Sequence, residues 1–132
     1  MLGKERESTM NYLRIYTGLD GQTHFEDVEV PTVQREVLAG FPPLDVAQPI
    51  PVSSVIFLRY PQQAERALGW HPAPHRQFAI FNKDVEFEVS DGQRRQVSAG
   101  TPVLVEDTTG KGHQTRALAE GEILILFLPL AQ

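Results

Sequence analysis

Glycine and proline recur along the whole chain, ten of each in 132 residues, and leave no stretch in which a long helix could grow. What lies between these breaks is short and alternates. Residues 11–17 set Leu13 and Ile15 against Tyr12, Arg14 and Tyr16. Residues 84–89 alternate strictly, with Val85, Phe87 and Val89 one way and Glu86 and Glu88 the other. A period of two marks a half-buried strand. Ser90-Asp91-Gly92-Gln93 then supplies the Asp-Gly of a tight hairpin. Further strands are expected over residues 22–30, 78–81, 94–97, 103–106, 114–118 and 122–128. Residues 51–60 read as a buried strand from Val52, Val55, Ile56, Phe57 and Leu58. Short strands with a turn at intervals of roughly 8–12 residues define an all-β antiparallel sandwich or barrel. No βαβ alternation points to an open parallel sheet.

The length fits one domain over residues 1–132 with a core of its own. Residues 1–10 are polar and read as a frayed terminus. Residues 31–50 are aperiodic and rich in proline and glycine, and read as a long connection or arm over the barrel. Single helical turns are expected at 34–38 and 62–68. The net charge of −5 speaks against a nucleic-acid or anionic-lipid partner. Without cysteine there is no disulfide, thiolate metal site or thiol nucleophile. The longest apolar run, residues 123–128, is too short for a transmembrane helix. The charged N-terminal residues precede no apolar signal segment, so a cytoplasmic protein is expected.

Chemistry concentrates between Gly69 and Thr115, which hold His71, His75 and His113. Gly110-Lys111 lacks the rest of a phosphate-binding P-loop, and no dinucleotide, nucleophile-elbow, zincin or EF-hand motif occurs. His71 follows a proline-restricted approach to a strand, and His113 follows the glycine-rich turn Thr109-Gly110-Lys111-Gly112. Sites are often built at such strand–loop junctions. If the two strands face each other across a barrel, both imidazoles share one cavity. With Gln77, Glu106 and Asp107 they form a set able to hold a divalent metal or to move protons. His24 and His75 read as structural histidines. Alternation that turns Gln77 inward also turns Ala79 and Phe81 inward. Tyr16, His24 and Phe57 are expected as walls from neighbouring strands. Arg76 is expected to point outward to Glu86 or Glu88, and Trp70 to lie in the core or at a dimer contact.

Trp70-His71-x-Ala73-Pro74-x-Arg76-Gln77 and Glu106-Asp107-Thr108-Thr109-Gly110-Lys111-Gly112-His113 resemble small single-domain cupins, the double-stranded β-helix or jelly-roll family. The resemblance covers most of the chain except 31–50. It implies a cupin jelly-roll barrel, a small-molecule ligand and a homodimer formed through the N-terminal strands and the arm. The family's metal site uses three His and one Glu. Here His71 and His113 match the first and third His. Ala73 stands for the second His, Gln77 for the Glu, Asp84 for the glycine that closes the first motif, and Ser98-Ala99-Gly100 for the Pro-x-Gly turn. The expected activity is therefore a metal-independent lyase, isomerase or cyclase acting on a small organic substrate, a mostly apolar organic acid or ketide-like compound held in the barrel. His71 and His113 transfer protons, Asp107 orients one imidazole, and Gln77 holds a carbonyl oxygen. Ala79, Phe81, Tyr16, His24, Phe57 and Glu106 complete the substrate site. One alternative is a metal-dependent oxygenase or isomerase with Fe, Mn, Ni or Zn held by His71, His113 and Gln77, Glu106 or Asp107. Another is a binder without catalysis.

Overall fold

A computed structural model of the chain describes residues 8–60 and 69–132. The expected fraying of residues 1–7 and the helical turn at 62–68 lie outside the described residues. The described residues contain ten strands and no helix. In chain order they are β1 (Ser8–Thr17), β2 (Thr23–Arg35), β3 (Leu44–Ala47), β4 (Ile56–Tyr60) and β5 (Gln77–Phe81). Then follow β6 (Val85–Val89), β7 (Arg94–Val97), β8 (Val103–Val105), β9 (His113–Ala117) and β10 (Ile123–Pro129). They form a seven-stranded sheet, ordered β3-β2-β1-β8-β5-β10-β4, and a three-stranded sheet, ordered β7-β6-β9. The pairings are antiparallel except β1 with β8. The molecule is all-β, as the punctuation implies. The sheets do not close into one barrel, because the larger one ends in β3 on one side and β4 on the other.

The core lies between the sheets. Leu13, Ile15, Ala79, Phe81, Val103, Ile123 and Ile125 face it from the larger sheet, and Val85, Phe87 and Val89 face it from the smaller. The strict alternation of residues 84–89 thus becomes the burial pattern of β6. Phe81 and Phe87 meet edge to face across the gap at 5.7 Å between centroids. The hairpin between β6 and β7 turns at Gly92, whose φ of 97° a residue with a side chain rarely adopts.

Several expectations are corrected. Residues 8–10 are not frayed: they pair with residues 30–32 of β2. The arm is not wholly irregular, because β2 runs to Arg35 and β3 pairs with residues 32–35. Pro31 is tolerated inside β2 because the β3 ladder begins only at Thr32. The helical turn at 34–38 does not form; a turn closes instead from Leu38 to Phe41, through Gly40 at φ 83°. Residues 51–60 are not a buried strand. Only 56–60 form β4, an edge strand on which Phe57 is 81% exposed.

Candidate functional site

His71 and His113 do meet, though not across a barrel. They are backbone neighbours: each N–H donates to the other's carbonyl, at 3.1 and 3.0 Å, in an isolated bridge ahead of β5 and at the start of β9. Residues 72–76 separate His71 from β5, so His71 does not begin that strand. Gly112 permits the approach. A Cβ there would collide with the His71 carbonyl, and the φ of Gly112 is 79°. The loop is tied down from β2, where the buried Thr23 hydroxyl donates to the Gly112 carbonyl at 2.7 Å. The imidazole centroids lie 5.0 Å apart, and Phe87 stacks edge-on against His113 at 5.9 Å.

Each ring is fixed at Nδ1. His113 Nδ1 lies 2.6 Å from Oδ2 of Asp107, which is fully buried, and His113 itself is 6% exposed. His71 Nδ1 lies 3.0 Å from the Gly69 carbonyl. A carbonyl and an ionised carboxylate can only accept, so in the neutral ring Nδ1 carries the proton and Nε2 carries the lone pair. Among the described residues neither Nε2 has a protein partner. Both rings line a partly enclosed pocket between the sheets, together with Tyr60, Gln77, Thr115 and apolar walls that include Ala79, Phe81 and Phe127. The pocket leaves about 70 Å³ open to the centres of water-sized atoms. One water needs about 10–15 Å³ on that measure, so the space suits a ligand of roughly half a dozen non-hydrogen atoms.

Gln77, 3% exposed, presents an amide that makes no hydrogen bond among the described residues. Ala79 and Phe81 follow it into the pocket as alternation requires. Asp107 is behind His113 and not on the pocket wall; its Oδ1 is buried without a partner among the described residues.

The other expected members lie elsewhere. Glu106 points to the far side of the larger sheet. Arg14 Nε donates to its Oε1 at 2.6 Å and Arg76 Nε to its Oε2 at 2.6 Å. Burial works to raise the Glu106 pKa, but the two guanidiniums outweigh it and hold the carboxyl below its usual range. Arg76 is thus taken by Glu106; Glu86 pairs with Arg116, and Glu88 with Arg94. Phe57 shares the outer face with Leu126, its partner in register, because the alternation of β4 turns Leu58 and Tyr60 inward. Tyr16 and His24 pair across β1 and β2, away from the pocket. The His24 ring is held between Asp91, at 2.8 Å from Nδ1, and Asp20, at 2.9 Å from Nε2. His75 is exposed, and Trp70 is half-buried under the Lys111 ammonium, 4.1 Å from its ring centre.

Sequence reasoning misses Tyr60, Phe87, Thr115 and Phe127. Tyr60 is findable: starting the alternation of β4 from Leu58 rather than Phe57 puts it inside. Burial raises the Tyr60 pKa, so the phenol stays protonated.

The donor set does not suit a catalytic metal, which takes at least three strong protein ligands. The pocket offers two imidazoles and a neutral amide, Ala73 brings no donor, and both nearby carboxylates are engaged outside it. Among the described residues no three His, Asp or Glu gather at a metal-binding distance. No helix among the described residues is long and apolar enough to cross a membrane. What fold and site define is a two-sheet, all-β protein with an apolar pocket and a paired imidazole at its polar end. No protein-family model matches the chain, and no curated protein proves similar to it in sequence.

Proposed function

We propose that this chain is a small-molecule enzyme of the cupin type that moves protons without a metal, in a lyase, isomerase or cyclase reaction. One observation carries the reading: a buried carboxylate bonded at 2.6 Å to the Nδ1 of an imidazole that lines a pocket, beside a second imidazole. An acid–base catalyst needs this arrangement, with the base oriented by a third group and aimed at the reacting atom.

The chemistry follows from the tautomers. His113 Nε2 accepts a proton from the carbon next to a substrate carbonyl. The C–H electron pair forms the carbon–carbon double bond, and the carbonyl becomes an enolate. The Gln77 amide N–H donates to that oxygen, and Asp107 stabilises the imidazolium that forms. The proton then returns from His113 to the same or a neighbouring carbon, or the enolate expels a leaving group. His71 takes or supplies the second proton.

The test works with a substrate whose identity is open. Pools of small enolisable carbonyl compounds are incubated with the protein in D2O, and loss of the α-proton signal is followed by NMR. The expected result is catalysed exchange for some compounds, abolished by His113→Ala and strongly reduced by His71→Ala. If compounds bind in the pocket and none exchanges above the buffer rate, the protein is a binder and the catalytic reading fails.

A further inference from the structure

The pocket's polar groups differ from the charged groups that surround it, and the difference bears on what can enter. The described side chains that line it include no Lys, Arg, Asp or Glu. The guanidiniums nearby are committed: Arg14 and Arg76 to Glu106, and Arg116 to Glu86. Lys111, in the loop that delivers His113, lies over the Trp70 ring rather than at the pocket wall. Among the described residues, the charged group bonded to the site's rings is Asp107, negative and fully buried, with an oxygen already short of a partner.

A carboxylate stripped of water in this hollow would meet no fixed positive charge among the described side chains. An imidazolium at His113 is already neutralised by Asp107, and His71, bonded to the neutral Gly69 carbonyl, would have to take up a proton to serve as a counter-charge, so burying the anion is costly. A neutral carbonyl suits the same groups. It needs one donor, and the Gln77 amide provides it; its carbon body suits Phe81 and Phe127.

We infer that the site selects uncharged carbonyl compounds, small ketones, aldehydes or lactones with an apolar body, and rejects the carboxylic acids of the same shape. The inference rests on the pocket being the small-molecule site proposed above, and concerns binding rather than turnover. Gln77 is the specificity-determining residue, as donor to the carbonyl oxygen.

The test uses three probes of one shape: 3-methyl-2-butanone, isobutyrate and the ammonium ion of 3-methyl-2-butylamine. Each is titrated into the full chain at neutral pH while the imidazole C–H signals of His71 and His113 are followed by NMR. The ketone is expected to shift both, with an affinity about tenfold or more above that of isobutyrate, the desolvation of the anion setting the gap. Gln77→Leu is expected to weaken the ketone about three- to tenfold, the loss of one hydrogen bond, and to leave isobutyrate unchanged. The inference is overturned if isobutyrate or the ammonium ion binds as well as the ketone, or if none of the three moves either ring. If Gln77→Leu does not fold, the ranking of the probes on the natural chain still decides. Ketone binding without deuterium exchange would sink the catalytic reading and leave this one standing. Exchange confined to acids would do the reverse.

Discussion

At the scale of single residues, Asp107 carries the most information. A fully buried carboxylate with one oxygen unpartnered is expensive, several kcal/mol before its ion pair is counted. Among the described residues the carboxylate's polar partner is His113. Asp107→Ala leaves the His113 Nδ1–H unpaired and a hole beside it, and is expected to cost about 1–3 kcal/mol in urea unfolding. Asp107→Asn keeps the shape and removes the charge, so the stability should largely return. The tautomer should not, because an amide N–H turned to Nδ1 moves the ring proton to Nε2 and removes the lone pair from the pocket. The nitrogen shifts of His113 report this directly, and any exchange activity should fall about 10²- to 10⁴-fold. If Asn restores tautomer and activity along with stability, Asp107 is a structural residue only. Glu106, the residue before it in the chain, tests the contrast. Glu106→Gln is expected to lower stability by about 1–3 kcal/mol, since it loosens bonds from Arg14 and Arg76, and to leave the His113 tautomer unchanged.

At the scale of elements, the site depends on the loop from Thr108 to Gly112 meeting the segment before β5. Gly112→Ala puts a methyl group into the His71 carbonyl and an unfavourable φ on the chain. It is expected to cost about 3 kcal/mol or more and to disperse the His71 and His113 ring signals. Gly92→Ala has a comparable φ of 97° but open space around it, and should cost about 1–2 kcal/mol with the ring signals intact. Equal losses from the two would show that backbone strain, and not the close approach of the two histidines, makes Gly112 necessary. The same contrast explains what was legible in the sequence. Alternation over residues 84–89 and the Asp-Gly turn are local signals, and β6 and its hairpin match them. Gln77, Ala79 and Phe81 share a face because period two admits no other outcome. β4 misleads because consecutive apolar or β-branched residues carry no phase, and a one-residue error exchanges Phe57 for Tyr60. The extension of β2 through Pro31 is hidden for another reason. A proline is compatible with a strand only where the neighbouring ladder is missing, which is a property of the sheet and not of the segment. Glu106 and Asp107 are adjacent, yet one faces Arg14 and Arg76 and the other His113; the spacing to either partner says nothing of that.

At the scale of the whole molecule, the pH dependence of stability has two limbs carried by different parts of the fold. His24 joins the turn at Asp20 to the hairpin at Asp91, and its hydrogen bonds to Asp20 and then to Asp91 raise its pKa against a smaller opposing effect of burial. A raised histidine pKa gives stability that is complete below the unfolded value of about 6.5 and is lost as pH rises through the folded value. Asp20, hydrogen-bonded by His24, and Asp27, hydrogen-bonded by Arg95, have lowered pKa values, as does Glu106 under its two arginines. Lowered carboxylates act with the opposite sign. Their contribution is complete above an unfolded value of about 4 and is lost as pH falls through the folded values. Melting temperature is therefore expected to be highest between about pH 4.5 and 6.5 and to fall on both sides. The alkaline fall belongs to His24 and the turn–hairpin junction, so His24→Asn should flatten it and remove from the acid limb only the share that Asp20 owes to His24. Glu106→Gln should soften the acid limb and leave the alkaline one unchanged. Because the Gly21 carbonyl and Thr17 lie against Gly110, and Thr17 donates to the Thr109 carbonyl, the junction also braces the loop that presents His113. Amide exchange of residues 109–112 should quicken from about pH 6 to 8 beyond its intrinsic rise in the natural chain. It should show no such excess in His24→Asn, where the brace is already released at every pH. A melting curve flat from about pH 5 to 8 would remove His24 from this role, and with it the coupling between the junction and the pocket.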